Sequence, residues 1–242
     1  IMTFSIDMLP RLILSVTTDV TLFIFLVCGF YTRWHSIAVR TTLIVLMGML
    51  FNFFLKSLWQ VPLNPALHVN EVNWAFPSGH TALAMTLYVW LAWESRRLTW
   101  IGVAYAWVLA IGASLVYFNY HAWDAVLAAI AIMSVFLFAY EWLNRLLKPT
   151  DWPVVALTFT ILGLMIIYSL LPYRVHWLWK IEGMLLGFGL GLWVNQRYVA
   201  GSGLVRSTLR ESWEIVLVKV LMGLVGCYAI YLVYNIILPS TT

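Results

Sequence analysis

The chain has 242 residues, 63% of them hydrophobic and 10% charged, with a mean hydropathy of +0.89 and a formal charge of +4. So little charge cannot cover a water-soluble domain of this length, so composition implies an integral membrane protein and excludes a soluble enzyme. The positive excess is spread over short connectors instead of gathered into a patch, so no nucleic-acid partner is expected.

Apolar runs of about 20 residues, each able to cross a hydrocarbon core of about 30 Å as a helix, recur along the chain. They predict spans at roughly 12–31, 38–60, 77–94, 98–118, 121–143, 153–171, 176–197 and 213–237, eight helices with ends placed to about four residues. The runs are continuous and do not alternate between apolar and polar residues, which argues against a lipid-facing β-barrel. The expected fold class is therefore all-α, a polytopic membrane bundle. Connectors after the first, third, fifth and seventh spans carry Arg33, Arg40, Arg96, Arg97, Arg145, Lys148, Arg197, Arg206 and Arg210, against Arg11, Lys56, Arg174 and Lys180 on the other side. The positive-inside tendency makes the first set cytoplasmic and turns both termini outward. Little positive charge precedes the first span, so no cleavable signal is expected.

In the first span, Asp19 stands among Thr17, Thr18 and Thr21, an acid at a depth where it must be paired, hydrated or bonded locally. Cys28 and Cys227 fall inside spans with no CxxC partner or metal-ligand neighbour, and read as small packing residues. No cluster of histidines or paired carboxylates is visible, so no metal and no cofactor is expected. The second span ends in FNFFLKSLWQ, which puts Lys56 about one turn from the outer surface, placed either to snorkel or to meet phosphate.

The third span opens with WAFPSGHT. Pro77 at a first helical position would leave the N–H groups of Ser78, Gly79 and His80 without partners inside the helix, at the positive end of its dipole. Such donors attract an anion, and Gly79 lets it approach the backbone; the alternative is a plain helix entry with an interfacial histidine. The fourth span ends in GASLVYF and is followed by NYHAWDAV, where His121 and Asp124 are three residues apart and share a helix face. A carboxylate on one imidazole nitrogen would fix the tautomer and leave the other free to attack; equally, Asp124 could favour the helix start and His121 sit among headgroups.

Taken together these segments resemble the type 2 phosphatidic acid phosphatase superfamily. Its pattern is a lysine followed after six residues by Arg-Pro, then PSGH, then Ser-Arg with a histidine five residues on and an aspartate four beyond it. Pro77, Ser78, Gly79 and His80 are intact, Lys56 matches the first lysine, and Ser114 stands seven residues before His121. The chain departs at Leu63 and Asn64, with Pro65 one residue late, at Leu115 in place of arginine, and at Asp124, one residue early. The resemblance spans about 38–140 and implies a four-helix phosphatase core, here residues 1–150, with further helices in 151–242 packed on it. It implies a metal-independent lipid phosphatase in which His121 attacks phosphorus, Asp124 orients His121, and His80 protonates the leaving alkoxide and then activates water. Lys56, Ser78, Gly79 and Ser114 would bind the phosphoryl oxygens.

The expected partners are a phosphorylated lipid and the bilayer, with the site on the extracytoplasmic face of a multi-pass protein of the cell membrane, of bacterial inner-membrane type. Composition does not set the oligomeric state. With both family arginines missing, Arg174, or Lys180, in the outward connector before the seventh span is the expected replacement cation, unless both anchor that helix beside Trp177 and Trp179. Gly183, Gly187 and Gly191 form a stripe suited to close helix packing, and Lys219 can snorkel. The other readings are a phospholipid-binding member without turnover, a lipid phosphotransferase, or a transporter, for which no inverted repeat is visible.

Overall fold

The computed structural model describes residues 8–16, 28–29, 35–63, 74–146, 152–169 and 176–194. The eighth span, Asp19, Asn64, Pro65, Arg174, Lys219 and Cys227 lie outside the described residues, as do the side chain of Lys180 and the surroundings of Gly191. The helices are α1 (Met8–Ser15), α2 (His35–Trp59), α3, α4 (Leu98–Tyr117), α5 (Trp123–Leu146), α6 (Trp152–Ser169) and α7 (His176–Val194). Helix α3 runs through Gly79–Ala84, a π-helical turn at Met85–Val89, and Trp90–Glu94. Regular structure among the described residues is helical, with one isolated antiparallel bridge between Pro62 and Trp74.

Among the described residues, three helices are long and apolar enough to cross a membrane: Ser36–Trp59, Leu98–Tyr117 and Trp123–Leu146. Each has an inward stripe at helical spacing. Leu43, Met47, Leu50 and Phe53 of α2 are buried, as are Ala104, Val108, Ile111 and Leu115 of α4 and Val126, Ala129, Met133 and Leu137 of α5. Their other faces are also apolar: Val103 and Trp107 of α4 and Val135 and Phe138 of α5 are exposed. An apolar helix surface all round is the signature of a segment with lipid on one side and protein on the other.

Small residues set the closest approaches. A side chain at Gly48 of α2 would collide with the Thr86 methyl in the π turn of α3, and one at Gly112 of α4 would collide with Val126 of α5. Close contact between helices is how packing is gained where lipid removes the hydrophobic drive. The expected glycine stripe of α7 is corrected: Gly183 and Gly187 are exposed and meet nothing within 4 Å among the described residues. Gly189 is the glycine that touches α6, its Cβ position lying 3.1 Å from Ala156 Cβ. It continues the buried series Ile181 and Leu185, four residues apart, whereas the expected stripe falls on another face.

The ends of the core are tied differently. At one end Arg40 of α2 holds Glu94 of α3 through two bonds of 2.8 Å, from Nε and Nη2. At the other end the α2–α3 connector is fastened back on itself: Ala75 N–H donates to Val61 O over 2.8 Å, and Trp74 lies beside Phe53 at 5.6 Å between ring centroids. The candidate chemistry is at this second end.

Candidate active site

Antiparallel α2, α3, α4 and α5 bring the C-terminus of α2, the N-terminus of α3 and the α4–α5 turn together. Lys56, in the last turn of α2, is 5% exposed and its Nζ donates to the Trp74 carbonyl. One turn earlier on the same face is Asn52, 4% exposed, with Oδ1 buried and without a hydrogen-bond partner. Both point at the PSGH turn, since a Cβ at Gly79 would lie 3.8 Å from Asn52 Nδ2 and 3.8 Å from Lys56 Cε. Asn52 was not legible as a site residue, although an amide one turn before a lysine in an apolar helix is a usable signal.

The helix starts later than the sequence pattern implied. Pro77 stands before the helix, Ser78 is the N-cap in an extended conformation, and Gly79 is the first helical residue. The reason is capping: Ser78 Oγ accepts from Thr81 N over 3.4 Å and from Thr81 Oγ1 over 3.0 Å, which satisfies the start of the helix. Ser78 is fully buried and its N–H donates to Ala125 O of α5 over 3.1 Å, so this donor is occupied, contrary to the expected phosphate contact. The Gly79 N–H keeps its place at the helix start, where no carbonyl of its own helix can reach it.

His121, in the turn between α4 and α5, is half-buried. Burial pushes its pKa from 6.5 down to about 4, helped by positive charge at Lys56 and His80, while the Ala75 backbone as a hydrogen-bond partner pulls it up. The ring is therefore neutral near pH 7, with a lone pair to offer. The charges of Lys56 and His80 therefore both reach the ring. His80 itself is exposed, on the first turn of α3.

Two further expected contacts are corrected. Asp124 is exposed and its Oδ1 accepts from Ala125 N over 2.7 Å, while His121 Nδ1 is buried without a hydrogen-bond partner. At three residues from His121, in the first turn of α5, Asp124 serves the helix start; the Ala75 backbone is the ring's partner, and no sequence signal marks a backbone group. Ser114 is 4% exposed and its Oγ donates to Ala110 O over 2.9 Å inside α4, so its proton is committed. Arg174 is outside the described residues. Lys56, Gly79, His80 and His121 are thus brought together, with Asn52 added, and Asp124, Ser78 and Ser114 have structural bonds instead.

Residues 37–145 match the sequence model of the PAP2 superfamily. The match is consistent with a member of the type 2 phosphatidic acid phosphatase superfamily, whose members are generally phosphatases. It runs from the first turn of α2 to the last turn of α5, so the PAP2 segment takes in Asn52, Lys56, Gly79, His80 and His121 while covering less than half of the chain. Helices α1, α6 and α7 lie outside it. No curated protein and no solved structure matches the chain. Among the described residues no group of three or more His, Cys, Asp or Glu could hold a metal ion.

Proposed function

We propose that the protein is a multi-pass membrane phosphatase that hydrolyses a phosphate ester of a lipid on the extracytoplasmic face. The observation that carries this reading is the approach of Lys56 and Asn52, each 3.8 Å from the Cβ position of Gly79 at the N-terminus of α3, with the charges of Lys56 and His80 reaching the half-buried His121. A ring nitrogen of His121 forms a bond to phosphorus as the bond from phosphorus to the lipid oxygen breaks. His80, protonated, gives its proton to the departing alkoxide. In the second half His80 takes a proton from water, the water oxygen bonds to phosphorus, and the nitrogen–phosphorus bond breaks to release phosphate. Lys56, the Gly79 N–H and the Asn52 amide are placed to bind the oxygens where charge spreads during transfer.

The membrane setting supports a lipid substrate, because the site is at one end of helices whose outer surfaces are apolar. The test is phosphate release by the purified full chain from a panel of lipid phosphates, with acid quenching to trap an acid-labile phosphoprotein. Release and trapping in the wild type, both lost in His121→Ala, are expected; equal release by the two proteins overturns the phosphohistidine route. One observation favours a second reading, a phospholipid-binding member without turnover: among the described residues no carboxylate bonds to His121 to stabilise a positive ring. Tight lipid binding with no release from any substrate would establish it.

A further inference from the structure

We infer that Arg11, on a helix outside the PAP2 segment, supplies the second cation for the substrate phosphoryl group; this rests on the proposed phosphatase reading. Helix α1 is held against the core by the Tyr88 hydroxyl, which donates to Val16 O over 2.8 Å, and its Arg11 guanidinium stands 5.5 Å from the centre of the Phe118 ring. Between α1 and the end of α4 lies a cavity of about 310 Å³ lined by Arg11, Leu14, His80, Leu115, Phe118 and Tyr120 among others. Arg11 and His80 therefore face the same space.

The charge requirement is physical. A phosphate monoester carries close to −2 near neutral pH, and Lys56, already donating to Trp74 O, cannot balance it alone. Leu115, the position after Ser114, lines this cavity but is apolar and 1% exposed. Arg11 lies in the same cavity and belongs to neither of the two ion pairs among the described residues. The Phe118 ring steadies the cation above it, 5.5 Å from its centre, and a guanidinium can make a bidentate contact with phosphate that a lysine cannot. Lys56 and His121 do not line the cavity, so Arg11 approaches the phosphoryl group from the side of His80, where the lipid oxygen leaves. The apolar walls of Leu14, Leu115 and Phe118 are suited to the first carbons of that lipid.

The experiment measures kcat, KM and the inhibition constant of inorganic phosphate for wild type, Arg11→Gln and Arg11→Lys, with thermal unfolding of each. Loss of a charged, bidentate contact is expected to raise KM and the phosphate inhibition constant together by about 10- to 100-fold in Arg11→Gln, with partial rescue in Arg11→Lys. Unchanged values in a stable Arg11→Gln protein overturn the inference. In the wild type, arylglyoxal modification of Arg11, followed by mass spectrometry, should be slowed by saturating inorganic phosphate; an unaffected rate overturns the inference without any variant. Should the wild type release no phosphate, the phosphatase reading fails by itself. Fluorescent phosphatidic acid in detergent micelles then decides on Arg11, equal affinity for wild type and Arg11→Gln being the adverse result.

Discussion

His121 and His80 carry the sharpest residue-scale expectations. His121→Ala removes the nucleophile and should reduce phosphate release to background, whereas His80→Ala removes a proton donor and should slow release about 100- to 10,000-fold. Burial, then the charges of Lys56 and His80, hold the His121 pKa at about 4, so carbon-13 NMR of labelled histidine should place its midpoint well below 6.5. The sign for stability follows. A histidine whose folded pKa is depressed stabilises the fold fully above the unfolded value of 6.5, and that contribution is lost as pH falls toward about 4, because the unfolded chain takes up the proton first. Lys56→Met should move the midpoint upward by only part of the difference, since burial is the larger cause; a return to 6.5 would show that charge dominates. Asp124→Asn should leave the midpoint in place, as its carboxylate bonds to Ala125 N and not to the ring.

At the scale of elements, the site depends on how closely α2 and α4 approach their neighbours. Gly48 is in contact with Thr86 in the π turn, whose Oγ1 donates to Ala82 O and Leu83 O over 3.1 and 3.0 Å. A π turn in mid-helix widens the backbone and is characteristic of helices that carry sites. Gly48→Ala forces α2 from α3 and should cost about 1–3 kcal/mol, read as a lower thermal unfolding midpoint. Gly183→Ala, with open space beyond its Cβ, should stay within about 1 kcal/mol of wild type and gain if anything. If both behave alike, the close α2–α3 approach does not limit stability.

For the whole molecule, antiparallel α2–α5 put Lys56, His80 and His121 at one end and the Arg40–Glu94 pair at the other. The proposed orientation turns the first end outward. With Cys28 and Cys227 replaced by serine, Val61→Cys should react with a membrane-impermeant maleimide in intact cells, and Arg145→Cys only after permeabilisation. The reverse labelling would put the site on the cytoplasmic face and remove the extracytoplasmic reading.

Local chemistry was legible in the order of the residues, because it depends on spacing along one helix or across one turn. Long apolar runs predicted spans at about 38–60, 98–118 and 121–143, where helices at 36–59, 98–117 and 123–146 have the length and composition to cross a membrane. The intact PSGH, Lys56 and His121 were singled out by spacing; Lys56 lies beside Gly79, and the charges of Lys56 and His80 reach the His121 ring. The helix start was misread because Pro77 can open a helix by its φ angle, while the Ser78 side chain, bonding Thr81, decides where this one begins. Only tertiary structure could decide the partners that come from distant segments. The Ala75 backbone beside His121, Asn52 behind Gly79, and Arg11 across the cavity from His80 are brought in by helix packing and a folded connector. Asp124 shows the same limit from the other side: three residues put it on the face of His121 in a continuous helix, but His121 sits in the turn before α5, so the shared face does not exist.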